Sequence, residues 1–360
     1  MVIYGANSSG KSNLLKALSA MTGIIINSAK LNSTDKINVT PFLLNTETEK
    51  QPSYFEIIFL TEDIRYRYGF EVSSEKVYYE WLYKKGVKGK EQLLFVRKGN
   101  KIELGKTFEE GKNLEDKTRD NALFLAICDQ FNGKKSHVVM HSINAILNIS
   151  ENDINDSREL TKVFLRNDPT IMNLDKFIAT LDLGFDRIAL SENKEDIMTY
   201  HPKYNTAKER IDEVAFSSLE CESSGTNKVL DLAIPILLGL NTKVVFPIDE
   251  LDARLHPLLT KQIVKMFNDP DTNTGNGQLI FATHDTNLLS YAGLRRDQIY
   301  FTEKNKYEET SLYSLAEFRE PDGTKVRNDR NYEKDYIDGR YGAIPFIGDF
   351  SKLMTNGTGN

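Results

Sequence analysis

The sequence predicts an α/β fold built on a mostly parallel sheet, with an antiparallel β lobe and a helical insertion. Three observations predict it. A short β-type run, Val2-Ile3-Tyr4, leads through a glycine-containing loop into Leu14, Leu15, Leu18 and Met21 at helical spacing. Alternating or apolar runs at 55–60, 65–72, 76–83 and 92–97 read as antiparallel strands. From residue 226 onward, apolar strands alternate with helices, the pattern of a parallel sheet covered on both faces.

Taken in order, the first core strand begins at residue 2. The runs 55–60 and 65–72 flank a short polar turn and predict a hairpin. Between the next two strands lies Lys84-Lys85-Gly86-Val87-Lys88-Gly89-Lys90, read as a solvated hairpin tip, with a phosphate-backbone contact as the alternative. Residues 113–211 read as mostly helical and polar, with 121–131 and 173–183 the clearest amphipathic pieces. Sustained heptads and internal repeats are absent. An apolar helix over 226–240 carries Pro235 as an expected kink. A strand at 243–248, a helix at 257–267 opened by Pro257, and strands at 278–283, 299–303 and 311–315 follow. The tail beyond Phe318 is polar, with one ordered-looking piece at 341–350. The expected division is 1–112 for the first half of the main domain with its β lobe, 113–215 for the insertion, 216–318 for the second half, and 319–360 for the tail.

At 360 residues the chain has room for a large core, as one domain with a big insertion or as two lobes. A net charge of −6 argues against coating nucleic acid through global charge and leaves room for a local basic face. Cys128 and Cys221 are isolated, show no metal-ligand spacing, and read as buried small hydrophobes in a reducing, cytoplasmic setting. The longest apolar run, around 232–240, is too short to span a bilayer, and the start does not resemble a signal peptide.

The loop Gly5-Ala6-Asn7-Ser8-Ser9-Gly10-Lys11-Ser12 fits G-x-x-x-x-G-K-[ST], with a strand before it and a helix after it. Successive backbone N–H groups from Gly5 to Asn13, at a helix N-terminus, favour bound phosphates. Lys11 can reach β- and γ-phosphates, and the Ser12 hydroxyl can ligate Mg²⁺. The apolar run ending in Asp249-Glu250 suits the magnesium side of such a site: Asp249 holds the metal and Glu250 polarises an attacking water. An apolar strand ending in acids can also be a helix cap. Pro247 cannot donate to a central ladder, so a bulge or break is expected there.

Further motifs carry a family resemblance. Glu222-Ser223-Ser224-Gly225-Thr226, just before the apolar helix, resembles the Leu-Ser-Gly-Gly-Gln signature of ABC-type ATPases in its last four positions. Thr283-His284-Asp285, at a strand end, resembles their switch histidine. The order of phosphate loop, signature, Asp-Glu strand and histidine is the ABC order. Leu251-Asp252-Ala253-Arg254-Leu255-His256-Pro257 resembles the RecF/OLD and SMC-like branch. With Tyr4-Gly5-Ala6-Asn7, Arg295-Arg296-Asp297-Gln298-Ile299 and Gly339-Arg340-Tyr341-Gly342-Ala343-Ile344-Pro345, the chain is similar to the prokaryotic abortive-infection ATPases of the RloA, AbiLi and AriA type.

The resemblance implies a P-loop NTPase of the ABC-ATPase type that hydrolyses ATP with Mg²⁺. Two heads would sandwich two nucleotides, giving a homodimer or higher homo-oligomer. Ser223, Ser224, Gly225 and Thr226 would act on the nucleotide of the opposite head, and His284 would contact the γ-phosphate. The implied role is a clamp or sensor in anti-phage defence that controls a Toprim-type or other nuclease effector. Alternatives are a scaffold with little turnover and a DNA-end or repair ATPase; a transporter subunit fits least, and no membrane partner is expected. Relatives carry strands and a base-stacking residue before the loop, so a truncated start or a differently built adenine subsite is expected. The family's glutamine has no clear place in this sequence: Gln51 sits at a plausible distance, but an exposed loop position suits it better. Asp335, Asp338 and Asp349 read as solvated loop residues rather than a nuclease centre.

Overall fold

The computed structural model describes residues 1–146, 154–167 and 174–345. β1 (Val2–Gly5) enters the loop, and the helix Lys11–Asn27 follows. Next come β2 (Ser53–Thr61), β3 (Ile64–Val72), β4 (Val77–Gly86), β5 (Gln92–Lys98) and β6 (Lys101–Leu104). The helices Phe124–Gln130, Lys134–Asn144, Ile154–Asn167 and Leu174–Thr180 lead to β7 (Arg187–Leu190), β8 (Ile197–Tyr204) and β9 (Arg210–Ser217). The helix Ser224–Asn241, β10 (Val245–Ile248), the helix Pro257–Asn268, β11 (Gln278–Ala282), β12 (Ile299–Lys304), β13 (Thr310–Ser314) and the helix Tyr332–Ile337 complete the order. The chain forms two compact units, Leu14–Asn148 and the remainder.

In the unit made by Met1–Asn13 and Ile149–Asn360, a five-stranded sheet runs β10-β11-β1-β12-β13. Every pairing is parallel except β12 with β13. β1 lies in the middle, and all four of its residues are buried, as its uninterrupted apolar character requires. The bulge expected at Pro247 does not occur. Pro247 pairs in register with Ile280, and β10 is an edge strand among the described residues, where a missing N–H is tolerated.

The helical reading of 113–211 needs correction over its last part. β7, β8 and β9 form a separate antiparallel sheet. Their sequence hides this because β9 alternates poorly between buried and exposed positions. Ion pairs reach across β8 instead, from Arg187 of β7 to Glu213 of β9 and from Arg210 of β9 to Asp186 just before β7. Ile188 and Ile197 of this sheet, with Leu165, Leu174 and Ile178, close a core against Leu230, Ala233, Ile234 and Leu237 of the helix Ser224–Asn241. That helix carries Pro235 in its interior.

The Leu14–Asn148 unit is built on the antiparallel sheet β2-β3-β4-β5-β6. β2 and β3 join through Glu62 and Asp63, both at positive φ, the two-residue turn that matches strand twist. Phe70, Leu82, Leu94, Phe95, Phe108 and Phe124 fill its core. Glu80, fully buried, accepts hydrogen bonds from Phe124 N, Leu125 N and the Tyr68 hydroxyl, and lies 3.9 Å from Arg97. The basic segment ends β4 and turns into solvent, with Val87, Lys88, Gly89 and Lys90 exposed. Gln51 is exposed just ahead of β2.

Two smaller expectations change. Cys128 is buried, but Cys221 is exposed. Asp335 is not a solvated loop residue: it is buried in the helix Tyr332–Ile337, paired with Arg330 and accepting from the Tyr341 hydroxyl at 2.8 Å. Asp338 is exposed, whereas Asp349 and the stretch 346–350 lie outside the described residues. Among the described residues no helix is long and apolar enough to cross a membrane.

Candidate functional site

β10, β11 and β1 are parallel neighbours, so the segments that leave their C-terminal ends converge. These are Asp249-Glu250, Thr283-His284-Asp285 and the phosphate loop. Open α/β sheets present ligand sites at this end.

The loop is held from its own sheet. Ser9 Oγ and Thr302 Oγ1 are 2.7 Å apart, and Thr310 Oγ1 donates to the Ser9 carbonyl at 3.1 Å. A Cβ on Gly5 would stand 2.4 Å from Ser9 Oγ and from Thr302 Oγ1, so only glycine fits between loop and strand. Gly10 adopts φ +106°, in the region that favours glycine, and its Cβ site is filled by Thr310. Ser8 is also left-handed, at φ 63°. Asn7 and Ser8 are exposed at the crest, Ala6 and Ser12 are half-buried, and Asn13 is exposed on the first helical turn.

Lys11 is 6% exposed, and its ammonium donates to the carbonyls of Gly5 at 2.9 Å and Ala6 at 3.1 Å. Burial pulls its pKa below the usual lysine value, while the charges of Asp249, Glu250 and Asp252 oppose that shift. A cation and three carboxylates therefore share one locality.

Asp249 Oδ1 is buried and has no hydrogen-bond partner. Glu250 sits at φ 49°, a left-handed conformation that costs a glutamate energy and re-aims the chain after β10. Leu251 N donates to the Ala282 carbonyl at 3.2 Å, and His284 N donates to Asp252 Oδ2 at 3.4 Å, tying the ends of β10 and β11. The His284 side chain is exposed beside them.

Ser223 caps the helix Ser224–Asn241: its hydroxyl accepts from Thr226 N at 3.0 Å and lies 2.9 Å from Thr226 Oγ1. Ser223 and Ser224 are exposed, so the cap leaves this helix N-terminus open to solvent. Gly225 packs on the carbonyl of Arg254.

Residues 1–290 match a family model described as "AAA domain, putative AbiEii toxin, Type IV TA system". The chain belongs to this AAA_21 family. Among solved structures, it is similar to the recombination mediator protein RecF of the RecFOR pathway, the structure described as RecF-ATPrS. Identity is 11%, coverage is 86% of this chain and 91% of that one, and the TM-score is 0.24, too low to bear on function. No curated protein matches the chain.

The α/β architecture with one mostly parallel and further antiparallel sheets agrees with the sequence-based expectation. In this AAA_21 chain, the residues present suit a phosphate-bound Mg²⁺. Such an ion takes one or two protein oxygens and completes its shell with phosphates and water. The Ser12 hydroxyl and the unsatisfied Asp249 oxygen are donors of that kind. Among the described residues no group of three or more His, Cys, Asp or Glu is placed to hold a metal alone.

Asp252 is the residue that sequence reasoning passed over. Its Oδ1 is buried without a hydrogen-bond partner, and its charge acts on Lys11. The sequence marked it only as a member of the segment 251–257, three residues after Asp249, with no role of its own.

Proposed function

We propose that this chain is an ATP hydrolase of the ABC type and works in the cytoplasm as a nucleotide-driven dimeric clamp. In anti-phage defence the clamp would control an effector, a nuclease of the Toprim or another class. The observation that carries the reading is the convergence of Lys11 with Asp249, Glu250 and Asp252 at the C-terminal ends of β1 and β10, the two strands that flank β11 in one parallel sheet.

The loop N–H groups and Lys11 bind the triphosphate and neutralise its charge. Ser12 and Asp249 would hold Mg²⁺, which when bound supplies charge neutralisation at the β- and γ-phosphates. Glu250 accepts a proton from water as the water oxygen attacks the γ-phosphorus. The bond to the β–γ bridging oxygen breaks, and ADP leaves with that electron pair. His284 contacts the γ-phosphate and helps orient the water. Ser223, Ser224, Gly225 and Thr226 present hydroxyls and a helix N-terminus to the nucleotide of the opposite head. The exposure of Ser223 and Ser224 supports a role toward a second protomer.

Steady-state phosphate release tests the reading. Wild type should turn over ATP, and Glu250→Gln should lose about 10²-fold or more, the weight of a general base. Equal rates in the two proteins would remove Glu250 from the chemistry.

A further inference from the structure

Arg158 lies on the helix Ile154–Asn167, far in sequence from every motif above, and its side chain is only 8% exposed. Its guanidinium is shared among four partners. Nη1 donates to Asn227 Oδ1 at 3.2 Å and to Asp231 Oδ1 at 3.1 Å. Nη2 donates to Asp196 Oδ1 at 3.3 Å and to the Ser218 hydroxyl.

These partners belong to three different pieces of chain. Asn227 and Asp231 stand on successive turns of the helix that Ser223 caps. Ser218 opens the short helix just before that cap, and Asp196 precedes β8. Two of the partners hold the cap segment further. Asn227 Nδ2 donates to the carbonyls of Ser218, Glu222 and Ser223, and the Ser217 hydroxyl donates to Asp196. A second tie lies beside it: Glu222 Oε1, one residue before the cap, is 2.7 Å from His201 Nε2 and accepts from Thr199 Oγ1 at 2.6 Å, both on β8.

Burial pushes the Asp231 carboxyl above its usual range, while Arg158 pulls it back. A buried guanidinium that divides its donors among two successive helices and the turn before β8 fixes their relative geometry. Lysine, a single point charge, cannot reproduce that fork.

We propose that Arg158 is the positioning residue of the Ser223–Thr226 element. Through it the helix Ile154–Asn167 and the turn before β8 set whether that element can close on the nucleotide of a second protomer. The inference rests on the clamp reading above and adds to it the route by which the inserted segment controls closure.

The test uses the full chain carrying Glu250→Gln, so that bound ATP persists. Two readouts are taken: binding of a fluorescent ATP analogue to the monomer, and ATP–Mg²⁺-dependent dimerisation followed by mass. Arg158→Lys and the apolar pair Arg158→Met/Asp231→Leu are compared with this parent. The pair removes the fork together with its most buried carboxylate, while half-buried Asp196 keeps hydrogen bonds from Ile197 N and the Ser217 hydroxyl. Both variants are expected to bind the analogue within about twofold of the parent and to dimerise about tenfold more weakly, or worse, a coupling of ordinary size. In the wild-type Glu250 background, Arg158→Lys should lower kcat with little change in KM.

Dimerisation equal to the parent in both variants would overturn the proposal. Loss of analogue binding in both would also overturn it, by making Arg158 a support of the fold alone. If the Glu250→Gln parent binds the analogue but never dimerises, the clamp reading fails first and the inference with it.

Discussion

A Cβ on Gly225 would stand 2.7 Å from the carbonyl oxygen of Arg254. The glycine of the signature-like element and the segment that follows Asp249-Glu250 are therefore in backbone contact within one chain. Arg254 is itself left-handed, at φ 65°, so its carbonyl cannot swing away freely. Gly225→Ala is expected to cost about 1–3 kcal/mol of stability, the usual scale for overpacking. It should also weaken ATP-dependent assembly more than ATP binding. Thermal melting together with assembly measurements checks both effects. An unchanged melting temperature would mean that the contact yields without strain.

Gly10 is constrained in two ways, by φ +106° and by Thr310 standing 2.4 Å from its Cβ position. The double variant Gly10→Ala/Thr310→Ala separates them. Removing Thr310 makes room but leaves the backbone requirement, which costs about 1–3 kcal/mol for a residue with a side chain. Both Gly10→Ala and the double variant should lose ATP binding, measured by calorimetry. Full recovery in the double variant would assign the constraint to crowding alone.

The sequence was legible where local chemistry repeats a known pattern, and illegible where tertiary placement decides. The strand, loop and helix around Gly5–Ser12 could be read because glycine and lysine spacing leaves few alternatives. The hairpin β2–β3 could be read from alternation and a polar turn. Pro247 misled, because the expectation of a bulge assumed a central strand and β10 is at an edge. β9 was hidden because its side chains are mostly exposed or half-buried, leaving no apolar period to detect. Asp252 and Arg158 acquire their surroundings only when β10 lies beside β11 and the insertion folds against the helix Ser224–Asn241, and no spacing in the sequence records either event.

Lys11 predicts a pH dependence. Its folded pKa lies below the unfolded value of 10.5, with burial the main cause. Between those two values the unfolded chain holds the proton and the folded chain does not, so the Lys11 contribution to stability rises with pH in that window. Below the folded pKa both states are protonated and the penalty of burying the charge is constant. The melting temperature of nucleotide-free wild type, relative to Lys11→Met, should therefore climb as pH approaches 10.5. A difference that falls over that range would contradict the burial argument.

Glu80 anchors the other unit. Its carboxylate accepts from Phe124 N at 2.7 Å, Leu125 N at 3.0 Å and the Tyr68 hydroxyl at 2.9 Å. Glu80→Ala leaves these three buried donors without an acceptor and Arg97 without its counter-charge, at a cost of about 3–5 kcal/mol. Hydrogen exchange at Phe124 and Leu125 should accelerate, whereas Asp335→Asn in the other unit should leave those amides protected. Unchanged exchange in Glu80→Ala would show that water replaces the carboxylate.

The central claim is that nucleotide held by Lys11, Ser12 and Asp249 closes two copies of this chain on each other. The most direct test is the solution mass of Glu250→Gln with and without ATP–Mg²⁺, beside the same protein carrying Lys11→Ala. A dimer, or a doubled assembly, is expected only with ATP–Mg²⁺ and only when Lys11 is present. A mass that ignores nucleotide, in a protein shown to bind it, would contradict the clamp.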